Sequence, residues 1–169
     1  AQSLYVLALL ALGLSARLPK RTALYSMTQT AFLSGLMLHA SGIGLRMMLL
    51  QRPPVGTLYE SILFVSFVIG VVSLYLSHRN KEKLYLGAGA LFALGLLMIA
   101  PAIAGQGDSM EVLVAVLDTN FWLATHVVCI TAAYAVCIFT ALLAHIELYK
   151  NAFTKNTKSG LRLIYTTSL

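Results

Sequence analysis

The stretch that decides the fold is Phe121–Tyr149, FWLATHVVCITAAYAVCIFTALLAHIELY, which contains no Lys or Arg and a single acidic residue, Glu147. A bilayer span needs roughly 20 predominantly apolar residues, and this run exceeds that. Asp118-Thr119-Asn120 and Trp122 mark a water–membrane boundary at its start, where amphipathic rings concentrate. His126 then lies about a turn and a half inside the helix. Ionisable groups at such depth are rare and usually face a cavity or the interior of a bundle. An imidazole there is either a metal ligand or a hydrogen-bonding post to a neighbouring helix, and position alone leaves both open.

The rest of the chain follows the same pattern. Of 169 residues, 59% are hydrophobic and 11% charged, and the mean hydropathy is +0.81. That composition excludes an ordinary water-soluble domain and points to an all-α, polytopic transmembrane helix bundle. Residues 2–16, 27–50, 58–77, 84–104 and 121–149 read as spans, the first of them short, and Leu161 onward reads as the start of a sixth. Pro101 is expected to distort or stop the fourth helix. Because a sixth span would be cut short at Leu169, the chain is expected to be a piece of a longer protein, forming a single truncated transmembrane domain.

The connecting segments alternate in charge. Basic residues concentrate in Arg17–Arg21, His78–Lys83 and Lys150–Lys158, whereas 105–120 carries Asp108, Glu111 and Asp118 and no base. The positive-inside rule assigns 17–26, 78–83 and 150–160 to the cytoplasm, and 51–57 and 105–120 to the outside. The net charge of +6 follows from those loops and implies no nucleic-acid partner. Within the outer segment, Asp108-Ser109-Met110-Glu111 has capping-box spacing. Met110, Leu113, Val114 and Leu117 follow it at helical spacing, so a short outer-surface amphipathic helix is expected.

Gly35, His39, Gly42 and Arg46 fall on one stripe of the second helix, where the two glycines would permit close helix approach. The stripe reads either as a polar lining for an anionic or metal-bearing ligand or as a packing seam from which Arg46 snorkels outward. Arg52-Pro53-Pro54-Val55-Gly56-Thr57 is a stiffened outer turn, and Glu60 beyond it needs a cationic partner, for which Arg46 or Arg52 would serve. Cys129 and Cys137 are eight residues apart on one helix, about 12 Å at the helical rise, too far for a mutual disulfide. They read as buried, inert thiols. His78 reads as solvated, and His145 is about 28 Å along the helix from His126, too far to share a metal. Hydrolase, phosphotransfer and dinucleotide motifs are absent from the sequence.

Two segments together resemble the haem-handling cytochrome c assembly family, specifically the system II cytochrome c synthase subunit. The first is Leu38-His39, Arg46, Pro53-Pro54 and Leu58-Tyr59-Glu60-Ser61. The second is Leu113–Leu117 followed by Phe121-Trp122-Leu123-Ala124-Thr125-His126-Val127 and later Tyr134. Where the family carries Asn before the Tyr-Glu turn, this chain has Thr57. The resemblance implies that His126 is an outer-face axial ligand to the iron of haem b. It further implies a cofactor-binding set of His126, His39, Arg46, Arg52 and Trp122, with outer arginines neutralising haem propionates. By the same resemblance a second histidine and a tryptophan-rich loop would lie beyond Leu169, so this chain holds at most half of the site. The implied activity is presentation of haem to the CxxCH thiols of apocytochrome c as part of a haem lyase, together with a partner membrane subunit. The implied setting is a bacterial inner membrane or, alternatively, a plastid thylakoid. Two other classes fit the composition: an ion-coupled permease using His39 and Arg46, and a membrane scaffold with no ligand.

Overall fold

The computed structural model describes residues 2–17, 22–51, 53–104 and 120–153. Arg52, the expected amphipathic helix within 105–119 and the start of a sixth span at 161 lie outside the described residues. Five helices follow one another: α1 (Gln2–Arg17), α2 (Thr22–Leu50), α3 (Leu58–Asn80), α4 (Lys83–Ala104) and α5 (Asn120–Phe153). There is no strand among the described residues. Four helices contain stretches long and apolar enough to cross a bilayer, Ser26–Leu50, Leu58–Asn80, Lys83–Ala102 and Phe121–Lys150. The chain is a multi-pass, all-helical membrane protein. The 16 residues of α1 rise about 24 Å, less than the ~30 Å of hydrocarbon that a span must cross. Below, the outer end of the bundle means the end bearing Arg46, Glu60 and Trp122, and the basic end means the one bearing Arg79, Lys83 and Lys150.

Helix α4 sits at the centre. On one side Leu86, Ala90, Ala93 and Leu97 bury against Tyr5 and Ala8 of α1 and Ala31 and Phe32 of α2. On the other, Tyr85 and Ala88 join Ile69 and Leu76 of α3 and Ala135, Phe139 and Leu143 of α5. Small side chains on α4 let both layers approach it. Contact with α3 is tightest: Ser73 Oγ donates to the Tyr85 carbonyl at 2.6 Å, and a Cβ placed on Gly89 would collide with Ser73. The α3–α4 turn is closed by Lys81, in the left-handed conformation at φ 56°. Helix α5 packs on α3 and more lightly on α4, and on neither α1 nor α2 among the described residues. Its buried positions, Ala135, Phe139, Leu143 and Glu147, begin near the middle of the helix and run toward the basic end.

Two expectations are corrected. Helix α4 neither stops nor breaks at Pro101 but continues to Ala104. Proline has no N–H, so the Leu97 carbonyl loses its helical donor. The side-chain amide of Gln2 fills that vacancy, donating from Nε2 to Leu97 O at 2.9 Å. In a lipid-facing helix an orphan carbonyl is costly, and α1 supplies the missing bond. The cysteines are the second correction. Cys129 and Cys137 are free thiols exposed on the surface of α5, not buried ones, because the helix turns its other face to α3.

The Gln2–Pro101 relation is testable by a double-mutant cycle. Gln2→Leu is expected to destabilise the protein by about 1–2 kcal/mol, the cost of an unpaired carbonyl. In a Pro101→Ala background, where the backbone N–H is restored, the same change should cost close to nothing. Equal costs in both backgrounds, measured by unfolding in detergent, would remove the compensation.

Candidate functional site

The outer end is built around Glu60, whose side chain is only 2% exposed. Thr57 caps α3: its Oγ1 accepts from the Glu60 backbone N–H at 3.2 Å, while Glu60 Oε2 accepts from the backbone N–H groups of Thr57 at 3.1 Å and Gly56 at 3.0 Å. This is a reciprocal capping box. The other oxygen, Oε1, accepts from Arg46 Nε at 2.9 Å. Of the two partners that the sequence offered for Glu60, Arg46 is therefore engaged. Its guanidinium also lies over the Tyr59 ring, 5.0 Å from the centroid, within cation–π range. The carboxylate thus ties together the end of α2, the proline turn and the start of α3.

One turn and more toward the membrane centre, His39 is 5% exposed and lies between α1 and α3. Its Nδ1 is 3.4 Å from the Tyr5 hydroxyl and its Nε2 3.4 Å from Ser66 Oγ. Ser66 donates its only proton to the Leu63 carbonyl at 2.8 Å, so toward His39 it accepts. That fixes the direction of the chain: Tyr5 O–H donates to Nδ1, and Nε2–H donates to Ser66. The ring also stands edge-on to Phe67, with centroids 5.9 Å apart. His39 is an interhelical hydrogen-bonding post.

The glycine stripe is only partly a packing seam. A Cβ on Gly35 would press on Leu4 and Tyr5 at 3.3 Å, whereas around Gly42 there is open space. Gly42 borders a lateral groove of about 610 Å³ whose lining includes His39, Leu45, Arg46 and Tyr59, within the ~300–1,000 Å³ of small-molecule sites. A second groove, of about 590 Å³, lies between α2, α3 and α5, lined by Met47, Pro53, Phe64, Phe67, Phe121 and Cys129 among others. Ile43 borders both.

His126 lines neither groove. It is exposed on α5 and makes no hydrogen bond or ring contact among the described residues. Trp122, one turn earlier, is 68% exposed and, among the described residues, stacks edge-on only with Phe121, at 5.4 Å. The structure therefore brings His39 and Arg46 to one groove and leaves His126 and Trp122 together on a separate helix face. No group of three or more His, Cys, Asp or Glu side chains poised for a metal ion occurs among the described residues. Comparison with known protein families, curated proteins and solved structures gives no match for this chain.

Three participants were missed in the sequence. Thr57-Leu58-Tyr59-Glu60 has the capping-box spacing and was readable. Tyr5 and Ser66 carry no such local mark, since only the packing of three helices brings them to His39. At the basic end, Glu147 is 2% exposed, neither carboxylate oxygen has a hydrogen-bond partner, and Lys150 Nζ stands 3.9 Å away.

The two buried glutamates should respond oppositely to neutralisation. Glu60→Gln weakens charge-assisted bonds and is expected to cost about 2–3 kcal/mol. Glu147→Gln removes a charge that gains little from its surroundings and should leave the unfolding midpoint unchanged or higher. A loss for Glu147→Gln as large as that for Glu60→Gln would contradict this assignment.

Proposed function

We propose that this chain is the membrane-embedded, haem-handling part of a cytochrome c haem lyase, with His126 as an axial ligand on the outer side. The observation that carries this reading is the free imidazole of His126. A histidine kept as helix–helix glue spends its ring nitrogens on neighbouring helices, as His39 does with Tyr5 and Ser66. His126 spends neither. A polar side chain inside a span with no partner in its own bundle is costly unless something outside the bundle uses it, and neutral imidazole is a common ligand for iron.

The surrounding residues fit one face of a haem site. Trp122 and His126 are four apart on α5 and lie on one side of it, offering an aromatic ring beside the ligating nitrogen. Haem, when bound, supplies the vinyl groups that the reduced CxxCH thiols of apocytochrome c add to. The task of the chain is to hold and orient it, which is largely a matter of positioning. Arg46 keeps four of its five N–H donors unspent among the described residues and fits a carboxylate-binding role. A partner membrane subunit, and residues beyond this chain, would complete the second axial position. The charge alternation supports a topology with this end outward, in a bacterial inner membrane or, alternatively, a plastid thylakoid. A permease reading has less support, because the groups it would use for coupling, His39 and Arg46, are each held by fixed partners.

In the full-length protein, His126→Gly is expected to abolish both co-purified haem absorbance and holocytochrome c formation. Added imidazole should restore part of each. An unchanged haem spectrum and normal cytochrome assembly in that variant would overturn the ligand assignment.

A further inference from the structure

The groove beside Gly42 has a cationic end at Arg46 and an otherwise largely apolar lining. We propose that it is a binding site for an anionic phospholipid of the outer leaflet, with the phosphate on Arg46 and an acyl chain lying along α2.

Charge complementarity identifies the occupant. Glu60 is buried and pairs with Arg46 through Nε, while its other oxygen is held by the backbone N–H groups of Gly56 and Thr57. The α3 N-terminus beside it adds positive partial charge. The two Nη groups of Arg46 have no acceptor among the described residues, yet the side chain is held in place by Glu60 and Tyr59. A fixed fork of unspent donors is what a phosphate takes up.

Length and depth fit a lipid rather than a free anion. From Leu38 to Leu49, both lining the groove, α2 rises about 16 Å, close to half of the ~30 Å hydrocarbon core and so to one leaflet. Arg46 is one turn from the end of α2, the level at which headgroups sit. The leucines that flank it, Leu38, Leu45 and Leu49, are largely exposed and would face acyl chain. The open space around Gly42 lets a chain lie against backbone. A soluble phosphate would leave this apolar surface unused. The inference does not rest on the haem reading.

The test is binding of dioleoylphosphatidylglycerol and dioleoylphosphatidylcholine to the purified full chain in detergent, followed by native mass spectrometry. The parent should retain phosphatidylglycerol selectively, and inorganic phosphate should not displace it. Gly42→Phe fills the groove without touching the Arg46–Glu60 pair and should weaken retention by roughly tenfold or more. Gly95→Phe, placed at an exposed position of α4 with open space around it, should leave retention unchanged. Arg46→Gln should abolish the preference for phosphatidylglycerol, with circular dichroism confirming the helices. His126→Ala should bind lipid as the parent does, so this inference and the haem reading fail separately. Equal retention of both lipids by the parent, or full retention by Gly42→Phe, overturns the proposal. So does displacement by phosphate, or a Gly42→Phe protein that loses haem but keeps phosphatidylglycerol.

Discussion

The outer half of this bundle depends on one buried carboxylate. Glu60 receives two backbone N–H groups from the turn that precedes it and the Nε of an arginine from the helix before that turn. Burying a charge is tolerable only when it is paired and hydrogen-bonded, and here every partner also defines the geometry. The two amides start α3, the guanidinium fixes the end of α2, and Pro53-Pro54 lie between them without needing bonds of their own. The pose of Arg46, its stacking on Tyr59 and one wall of the lateral groove all follow from that single group.

The two histidines of the outer half show how similar residues are put to different use by position. His39 lies where three helices meet, and its two nitrogens receive and pass on a proton-donor chain that runs from α1 through α2 to α3. His126 is exposed on α5 and has no hydrogen-bond partner among the described residues, so its nitrogens remain available. From position alone both were ionisable groups in apolar runs, with ligand or post open for His126 until the family resemblance implied a ligand. Packing shows that His39 is held by its neighbours and that His126, among the described residues, is not.

What was legible in the sequence is what depends on local or periodic terms. The spans emerge from apolar length alone, and the need of Glu60 for a cation, with Arg46 a candidate, follows from the cost of an unpaired charge. Facing is another matter. A membrane helix is apolar all round, and lipid is as apolar as a protein core, so hydrophobic pattern says little about which side packs. Hence Cys129 and Cys137, small apolar-like residues, were read as buried and lie exposed. The Gln2 bond to Leu97 joins residues 95 apart and exists only because α1 passes the end of α4. Pro101 announced a missing donor, while nothing local announced the residue that replaces it.

The asymmetric seating of α5 has a mechanical consequence. Its fully buried residues begin at Ala135 and run toward the basic end, whereas the segment from there to His126 is at most half-buried, so it acts as a lever held more firmly at its base than at its tip. The lever arm is nine residues, about 14 Å, and a tilt of roughly ten degrees about the base carries the imidazole about 2–3 Å sideways. Stiffness at the tip is then governed by the base, through Phe139 and Leu143 against α3 and α4. A change in packing near the opposite membrane surface is amplified at the histidine, although no residue there comes near it.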